Sequence, residues 1–412
     1  MEAAGSQTRG LNPKHSPRRL AVVVTAAAFA VLSTACRETS RPGAEPSEHR
    51  ALHFPTPSAA GQPASVASRS RPRFLVVSSY HPEYLWSQDT SRGFVAAMKE
   101  LGYFASRAHV AEFTGNDRVE TPWAEVRKLW MDTKRHPDQN SIAGAVNTAR
   151  AVVDEYKPTI ILLGDDNAAN FIGNLYLDTD VPIVFWGMNG LPGKYGLIDS
   201  PRRPGHNVTG VYQAGYLEEC IAFLKKIAPR IETLAVLSDD SPTGRSKVKA
   251  LESLSERRRI PVEVVGTVVT NSAPQWRSGA RRLADRADAF FVLNHNTLHD
   301  QRGKPVDPLK LGAWYLRNIR KPDCGHERQF AIEGILATAD DSGFYQAYEA
   351  VHIAHKILDT GADPGLIPVR APRRGPLIAN RYRARMLGIE LTEEMGIEEY
   401  IDTALALDRY PE

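Results

Sequence analysis

Five short segments carry side chains able to hold a small molecule. They are Ser79-Tyr80-His81-Pro82 with Tyr84 and Trp86, Asp165-Asp166-Asn167, Gly187-Met188-Asn189, Asp239-Asp240-Ser241-Pro242-Thr243-Gly244, and Asn294-His295-Asn296. Aromatic faces cover planar or apolar parts of a solute, and carboxylates and amides fix its polar groups. Turns and helix caps also require Asp, Asn, Ser and Gly, so any one segment alone reads as turn chemistry. Five of them on one sheet edge point to a binding cleft.

Covalent or acid–base chemistry has less support. There is no Gly-x-Ser-x-Gly nucleophile elbow and no complete Gly-x-x-x-x-Gly-Lys-Ser/Thr phosphate loop. Ser241-Pro242-Thr243-Gly244 reads equally as an anion cradle or a helix cap. His295 and His299, and Glu349, His352 and His355, have spacings that metal sites use. The apolar residues around His352 and His355 point instead to a helix edge. Adjacent carboxylates such as Asp165 and Asp166 point different ways after a strand, which argues against a carboxylate pair for acid–base work. The expectation is a protein that is not an enzyme, with no catalytic residues, no metal and no cofactor. Cys220 lies in an apolar helical pattern with Ile221, Phe223 and Leu224, which favours two buried thiols over a bridge to Cys324.

Each chemistry-bearing segment follows a predicted strand. Apolar strands at Phe74–Ser78, Thr159–Gly164 and Val181–Trp186 alternate with helices, the pattern of a parallel α/β sheet. One helix is capped by Ser87 and stops at Gly102. Another carries Trp123, Val126, Leu129 and Trp130, and a third covers Ile142–Tyr156. Asn207–Tyr212 reads as an extended connector, after which the alternation restarts. Leu217–Ile227, Arg245–Arg258 and Trp276–Ala287 are helices there, with strands at Thr233–Ser238, Val262–Val269 and Ala289–Leu293. In the tail, Phe330–Thr338 reads as extended, Phe344–Leu358 as a helix, Leu377–Arg381 as a strand and Glu393–Leu407 as helical.

Ligands of parallel α/β sheets sit beyond the carboxyl ends of the strands, and two such sheets joined by several crossings make a cleft that can hinge. The predicted ligand-facing set is Tyr80, His81, Trp86, Asp166, Asn167 and Asn189 from one lobe, opposite Asp239, Thr243, Asn294 and Asp341.

The formal net charge is +3, and the four basic residues against one acid before Cys36 account for it. The remainder is neutral, which offers no electrostatic footprint for nucleic acid. The N-terminus has the parts of an export signal over residues 1–35: a basic stretch ending Arg18-Arg19, then an uncharged run from Leu20 to Ala35. That run is 16 residues, shorter than the ~20 that span a bilayer. Leu32-Ser33-Thr34-Ala35-Cys36 resembles a lipobox with its large apolar residue one place early, making Cys36 the predicted lipidation site. An ordinary cleaved signal and a retained anchor remain the alternatives. Residues 36–71, rich in Pro, Ser, Ala, Gly and Arg, read as a disordered tether.

These motifs together resemble ABC-transporter substrate-binding proteins of the tryptophan/tyrosine-binding type, which are related to periplasmic sensor domains of histidine kinases. The resemblance rests on Ser78-Ser79-Tyr80-His81-Pro82-x-Tyr84-x-Trp86, Gly164-Asp165-Asp166-Asn167-Ala168, and Val181 through Asn189. Asn207-Val208-Thr209-Gly210, Ile367-Pro368-Val369, Asn380 and Leu387-Gly388-Ile389 follow in order, so it covers residues 72–400. Cys324-Gly325-His326-Glu327 and the charged stretch Gly115–Asn140 depart from the pattern.

The resemblance implies a two-lobed type I periplasmic-binding fold with three interlobe crossings, near Asn207–Tyr212, Leu336–Asp341 and Ile367–Leu377. Residues 72–207 and 337–368 would form the N-terminal lobe, and 208–336 and 369–412 the C-terminal lobe. With the N-terminal signal and Cys36 as the lipidation site, the expectation is a lipid-anchored protein of the cell envelope, facing the periplasm or the extracellular side. Such a protein captures a small solute, such as an amino acid or a related cationic or aromatic molecule, and delivers it to an ABC permease. The alternative is a lipoprotein that senses the ligand and signals to a membrane partner such as a histidine kinase.

Overall fold

The structure is a computed structural model that describes residues 71–189 and 192–411. The export signal, Cys36 and the tether up to residue 70 lie outside the described residues. Arg71, the last residue of the predicted tether, already belongs to the globular body: it donates to Thr121 O at 2.9 Å and pairs with Glu125.

The first lobe is built from β1 (Arg73–Ser78), α1 (Leu85–Glu100), α2 (Arg107–Asn116), β2 (Arg118–Glu120), β3 (Glu125–Trp130), α3 (Gln139–Tyr156), β4 (Ile160–Gly164), a short α4 (Asp165–Asn167), β5 (Ile183–Asn189) and β6 (Val208–Gln213). Its strands run in the order β2-β3-β1-β4-β5-β6, parallel except for β2 against β3. β1, β4 and β5 are continuous apolar runs because helices cover both faces of the sheet.

The second lobe follows with α5 (Leu217–Ile227), β7 (Thr233–Ser238), α6 (Pro242–Glu256), β8 (Glu263–Val269), α7 (Ala273–Ala284), β9 (Ala289–Val292), α8 (Pro308–Asn318), β10 (Asp323–Gly325), α9 (Arg328–Glu333) and β11 (Ala337–Ala339). The chain then returns to the first lobe as α10 (Gly343–Thr360), whose Ala347, Ala350, Val351 and Ala354 share a core with Phe74, Phe94 and Trp186. Gly93 of α1 permits this docking, since a Cβ there would collide with the Phe344 carbonyl. Finally β12 (Leu377–Asn380), α11 (Arg381–Leu387), β13 (Glu399–Ile401) and α12 (Leu405–Arg409) complete the second lobe. Its sheet runs β13-β12-β11-β10-β9-β7-β8, with β12 antiparallel to β11.

The chain therefore crosses between lobes three times, at 214–216, 340–342 and 371–376, and the crossings are laced together. Gly215 N–H donates to Asp341 Oδ2 at 2.9 Å, Tyr216 O–H to Pro372 O at 2.6 Å, and Gly375 N–H to Asp340 O at 2.8 Å.

Several local expectations are corrected. Trp123, Val126, Leu129 and Trp130 are not helical: Trp123 lies in the turn after β2, and the other three are on β3. Asn207–Tyr212 is not a connector, because Val208–Gln213 pairs with β5 as the edge strand of the first sheet. The first lobe thus extends to Gln213, and β11, expected in the first lobe, pairs with β10 in the second. Phe330 lies on α9, not on an extended segment. The tail after Glu393 is a 3-10 turn, a strand and a short helix. Ser87 lies inside α1, whose N-cap is Tyr84. Cys220 and Cys324 are free, buried thiols in one core.

Candidate ligand-binding cleft

Strand ends position the polar residues. In the first lobe the loops after β1 and β4 are joined by Ser79, whose hydroxyl donates to Gly164 O at 2.7 Å and accepts from Ala168 N at 2.8 Å. Asp165 follows with a left-handed backbone (φ 69°) and accepts from the Trp86 indole at 2.7 Å. Gly187 sits opposite with φ 70°, where a Cβ would meet the Asp165 carboxylate. A non-glycine residue in that backbone region is strained, a condition that concentrates at functional sites.

Asp166 is the hub of a second network. Its Oδ2 accepts from the Asn189 backbone N–H at 3.1 Å and side-chain amide at 2.8 Å, its Oδ1 accepts from Tyr195 O–H at 2.8 Å, and Lys194 pairs with it at 2.9 Å. Asn167 donates to Thr133 at 2.8 Å.

In the second lobe, Asp239 accepts from Ser241 Oγ at 2.6 Å and from the N–H groups of Asn296 and Thr297 at 2.9 and 3.2 Å. The Ser241 hydroxyl in turn caps α6, accepting from Gly244 N at 3.0 Å. Thr243 sits half-buried one turn before Lys247 on the same face of α6.

Of the ten predicted residues, several build the walls instead of facing a ligand. Trp86 is 4% exposed and its N–H is spent on Asp165. Asp239 spends both oxygens on its own lobe. Asp166 and Asn167 are likewise bonded within the first lobe. Tyr80 and His81 follow the end of β1, Asn189 ends β5, Asn294 follows β9, and Asp341 is in a crossing. The Tyr80 and Tyr84 rings meet edge to face at 5.4 Å, and His81 lies 5.9 Å from Tyr84 with its Nδ1 3.1 Å from Glu83.

The lobes touch through residues that the sequence reading left out of its set. Asn296 Nδ2 reaches Tyr84 O–H at 3.3 Å, and Lys247 Nζ donates to Gln213 Oε1 at 3.3 Å. Between the lobes lies a cavity of about 640 Å³ lined by Tyr84, Lys134, Asn296, Gln329 and Glu333, among others. Lys247 had a legible signal: it stands on the apolar face of α6 with Gly244, Val248 and Leu251. Glu327 and His326 follow β10, a strand of three residues and too short to announce itself.

The cleft is rich in buried titratable groups. Burial pushes the Asp165 carboxyl well up, and the Trp86 N–H opposes it. Burial also raises Asp341 to about 6 against the pull of Lys247. At Glu327 burial is outweighed by His326, Lys247 and Lys134, which hold the carboxyl below its ordinary value. Burial takes His326 down to about 4, with Lys247 adding to it. His295 goes the other way: burial lowers it, but Glu333, 2.8 Å from Nε2, raises it on balance.

Two acceptors complete the picture. Asn189 Oδ1 at the end of β5 and Asn294 Oδ1 after β9 are buried and receive no hydrogen bond among the described residues. A buried acceptor left unmet costs roughly 1–3 kcal/mol, so each lobe presents an oxygen suited to a donor such as an ammonium group.

Two lobes of parallel-dominated sheet and three crossings, with a polar, aromatic cleft at the strand ends, define the type I periplasmic-binding fold. The sequence profile of the ABC transporter substrate binding protein family matches residues 129–399, and the chain belongs to that family. A curated relative, the tyrosine-binding protein of Clostridioides difficile (strain R20291), is 21% identical over 212 residues, which is 51% of this chain and 58% of the relative. The chain thus spans little more than half the length of that relative.

Two solved structures share the fold at TM-score 0.61, each covering 81% of this chain and all of its own. One is the ABC domain in complex with L-Trp from Streptococcus pneumonia, 17% identical. The other is a ligand-free, open substrate binding protein with adhesive properties from Clostridium difficile, 19% identical.

Proposed function

We propose that this chain is a lipid-anchored, extracytoplasmic receptor that closes its lobes on a small amino-bearing aromatic solute and delivers it to an ABC-type permease, performing no chemistry on it. The observation that carries the reading is the pair of unmet amide oxygens, Asn189 Oδ1 and Asn294 Oδ1, one from each lobe. The buried Glu327 carboxylate, held below its ordinary value by His326 and Lys247, adds negative potential, and Tyr80 and Tyr84 supply ring faces. A hydrogen bond to a charged group contributes on the order of 1.5–3 kcal/mol, and a well-placed aromatic pair about 0.5–1.5 kcal/mol beyond area burial. The names of the relatives, a tyrosine-binding protein and an L-Trp complex, point to the same chemistry.

A thermal-shift screen of amino acids, nucleosides, sugars and organic acids tests the solute, because a ligand of the folded state raises the melting temperature. Aromatic amino acids or amines are expected to give the largest rise; a rise with sugars or organic acids alone would overturn the reading. For the anchor, Cys36→Ser is expected to move the protein from the membrane to the soluble fraction, and retention on the membrane would refute it.

A further inference from the structure

Lys134, in the loop between β3 and α3, has its ammonium 4.6 Å from the centre of the Tyr80 ring and 5.2 Å from that of Tyr84. Because the two rings stand at 88° to each other, the ammonium sits in the corner between them. Cations are drawn to such ring faces, more strongly where water is excluded. After His326 and Lys247, the same ammonium helps hold the Glu327 carboxyl of the second lobe below its ordinary value. Tyr84 and Lys134 both line the interlobe cavity.

We infer that Lys134 is a tethered competitor: its ammonium covers the Tyr80 and Tyr84 ring faces of the cleft, and an amino-bearing aromatic solute must displace it to bind. This rests on the proposed amino-bearing solute and adds what sets its affinity. The competitor sits on a half-buried loop residue beside the exposed Arg135 and His136, so it can swing outward without disturbing a strand. Its contacts are with ring faces, which hold a cation without fixing one geometry. Loss of the charge therefore frees a preformed place and raises affinity. A lysine that instead clamped a solute carboxylate would show the reverse.

The test measures binding of tyramine, tryptamine, L-tyrosine and L-tryptophan by calorimetry to the full chain, to Lys134→Met, which keeps the stem, and to Lys134→Arg, which keeps the charge. Tyramine and tryptamine lack the carboxylate. Lys134→Met is expected to bind the amines at least about fivefold tighter than the wild type, with Lys134→Arg close to the wild type. In lysine-labelled protein the Lys134 ε-CH2 protons are expected upfield, under the ring currents of both tyrosines, and to return toward the free-lysine position as an amine binds. Unchanged or weaker amine binding in Lys134→Met overturns the inference while leaving the proposed solute class intact, as does an ε-CH2 signal that does not move on saturation. If neither wild type nor variant binds any of the four probes, the amino-solute reading falls and the competitor falls with it.

Discussion

The indole N–H of Trp86 donates to Asp165 Oδ1 at 2.7 Å within the first lobe. The aromatic residue at the start of α1 and the carboxylate at the start of α4 thus act as a single unit that shapes the wall of the cleft. Trp86→Phe keeps a ring and removes the donor. The buried Asp165 carboxyl then loses a partner, which costs roughly 1–3 kcal/mol of stability. Urea unfolding measures it; a loss under about 0.5 kcal/mol would mean the bond is idle.

The crossing at 340–342 is expected to make stability depend on pH. Burial and then Asp89 push the Asp340 carboxyl up to about 8. The folded state keeps this proton over a range where the unfolded chain, near the ordinary value of 3.8, has lost it. The contribution is therefore fully present below the unfolded pKa and is lost as pH rises toward 8. Between pH 6 and 8 the wild type should lose on the order of 2 kcal/mol through this group. Asp340→Asn should flatten that decline, and equal slopes for the two proteins would contradict the assignment.

Arg383 and Asp323 form a fully buried ion pair at 2.6 Å, and Arg383 also donates to Leu316 O and Ile319 O at 3.0 and 2.8 Å. One side chain thereby joins α11, β10 and the end of α8. Arg383→Met leaves an unpaired buried carboxylate and should cost about 3–5 kcal/mol. The exposed pair Arg381–Asp402 is the control. Arg381→Met should change stability by no more than about 1 kcal/mol, and similar losses in the two variants would refute the contrast.

Lobe contact through Tyr84–Asn296 and Lys247–Gln213 predicts a hinge motion that a bound solute would bias. Small-angle scattering is expected to give a smaller radius of gyration with solute than without. In Asn296→Ala the solute-free radius should be no smaller than in the wild type, and a smaller value would count against this contact holding the lobes together.

Most of the alternation could be read from residue patterns: Leu217–Ile227 and Thr233–Ser238 are where the periodicity puts them. β3 was hidden by its own chemistry. Its inward positions include Lys128, buried between strand and helix, where the ammonium donates to Ser91 Oγ at 2.7 Å and lies 3.7 Å from the centre of the Trp130 ring. A charge on the inward face breaks the period of two, and Val126, Leu129 and Trp130 then mimic helical spacing. β6 was hidden by Gly210, since glycine weakens a strand signal.

For the cleft, strand-end segments located the right edges but not the direction of each side chain. Trp86 and Asp239 have the residue types of ligand contacts, yet their nearest available partners lie within their own lobes. Lys134 lies in a charged loop whose role depends on where Tyr80 and Tyr84 fold.

The return of the chain through α10 means that neither lobe is a contiguous stretch of sequence. β12 and β13 can extend the second sheet only after the chain has passed back through the first lobe. These contacts join residues far apart in sequence, a topology that folds slowly. The second sheet lacks two of its strands until the last forty or so residues are present, so a nascent chain stays incomplete until its end has emerged. The first core waits for α10 and the second for β12 and β13, so both lobes close their cores late and nearly together.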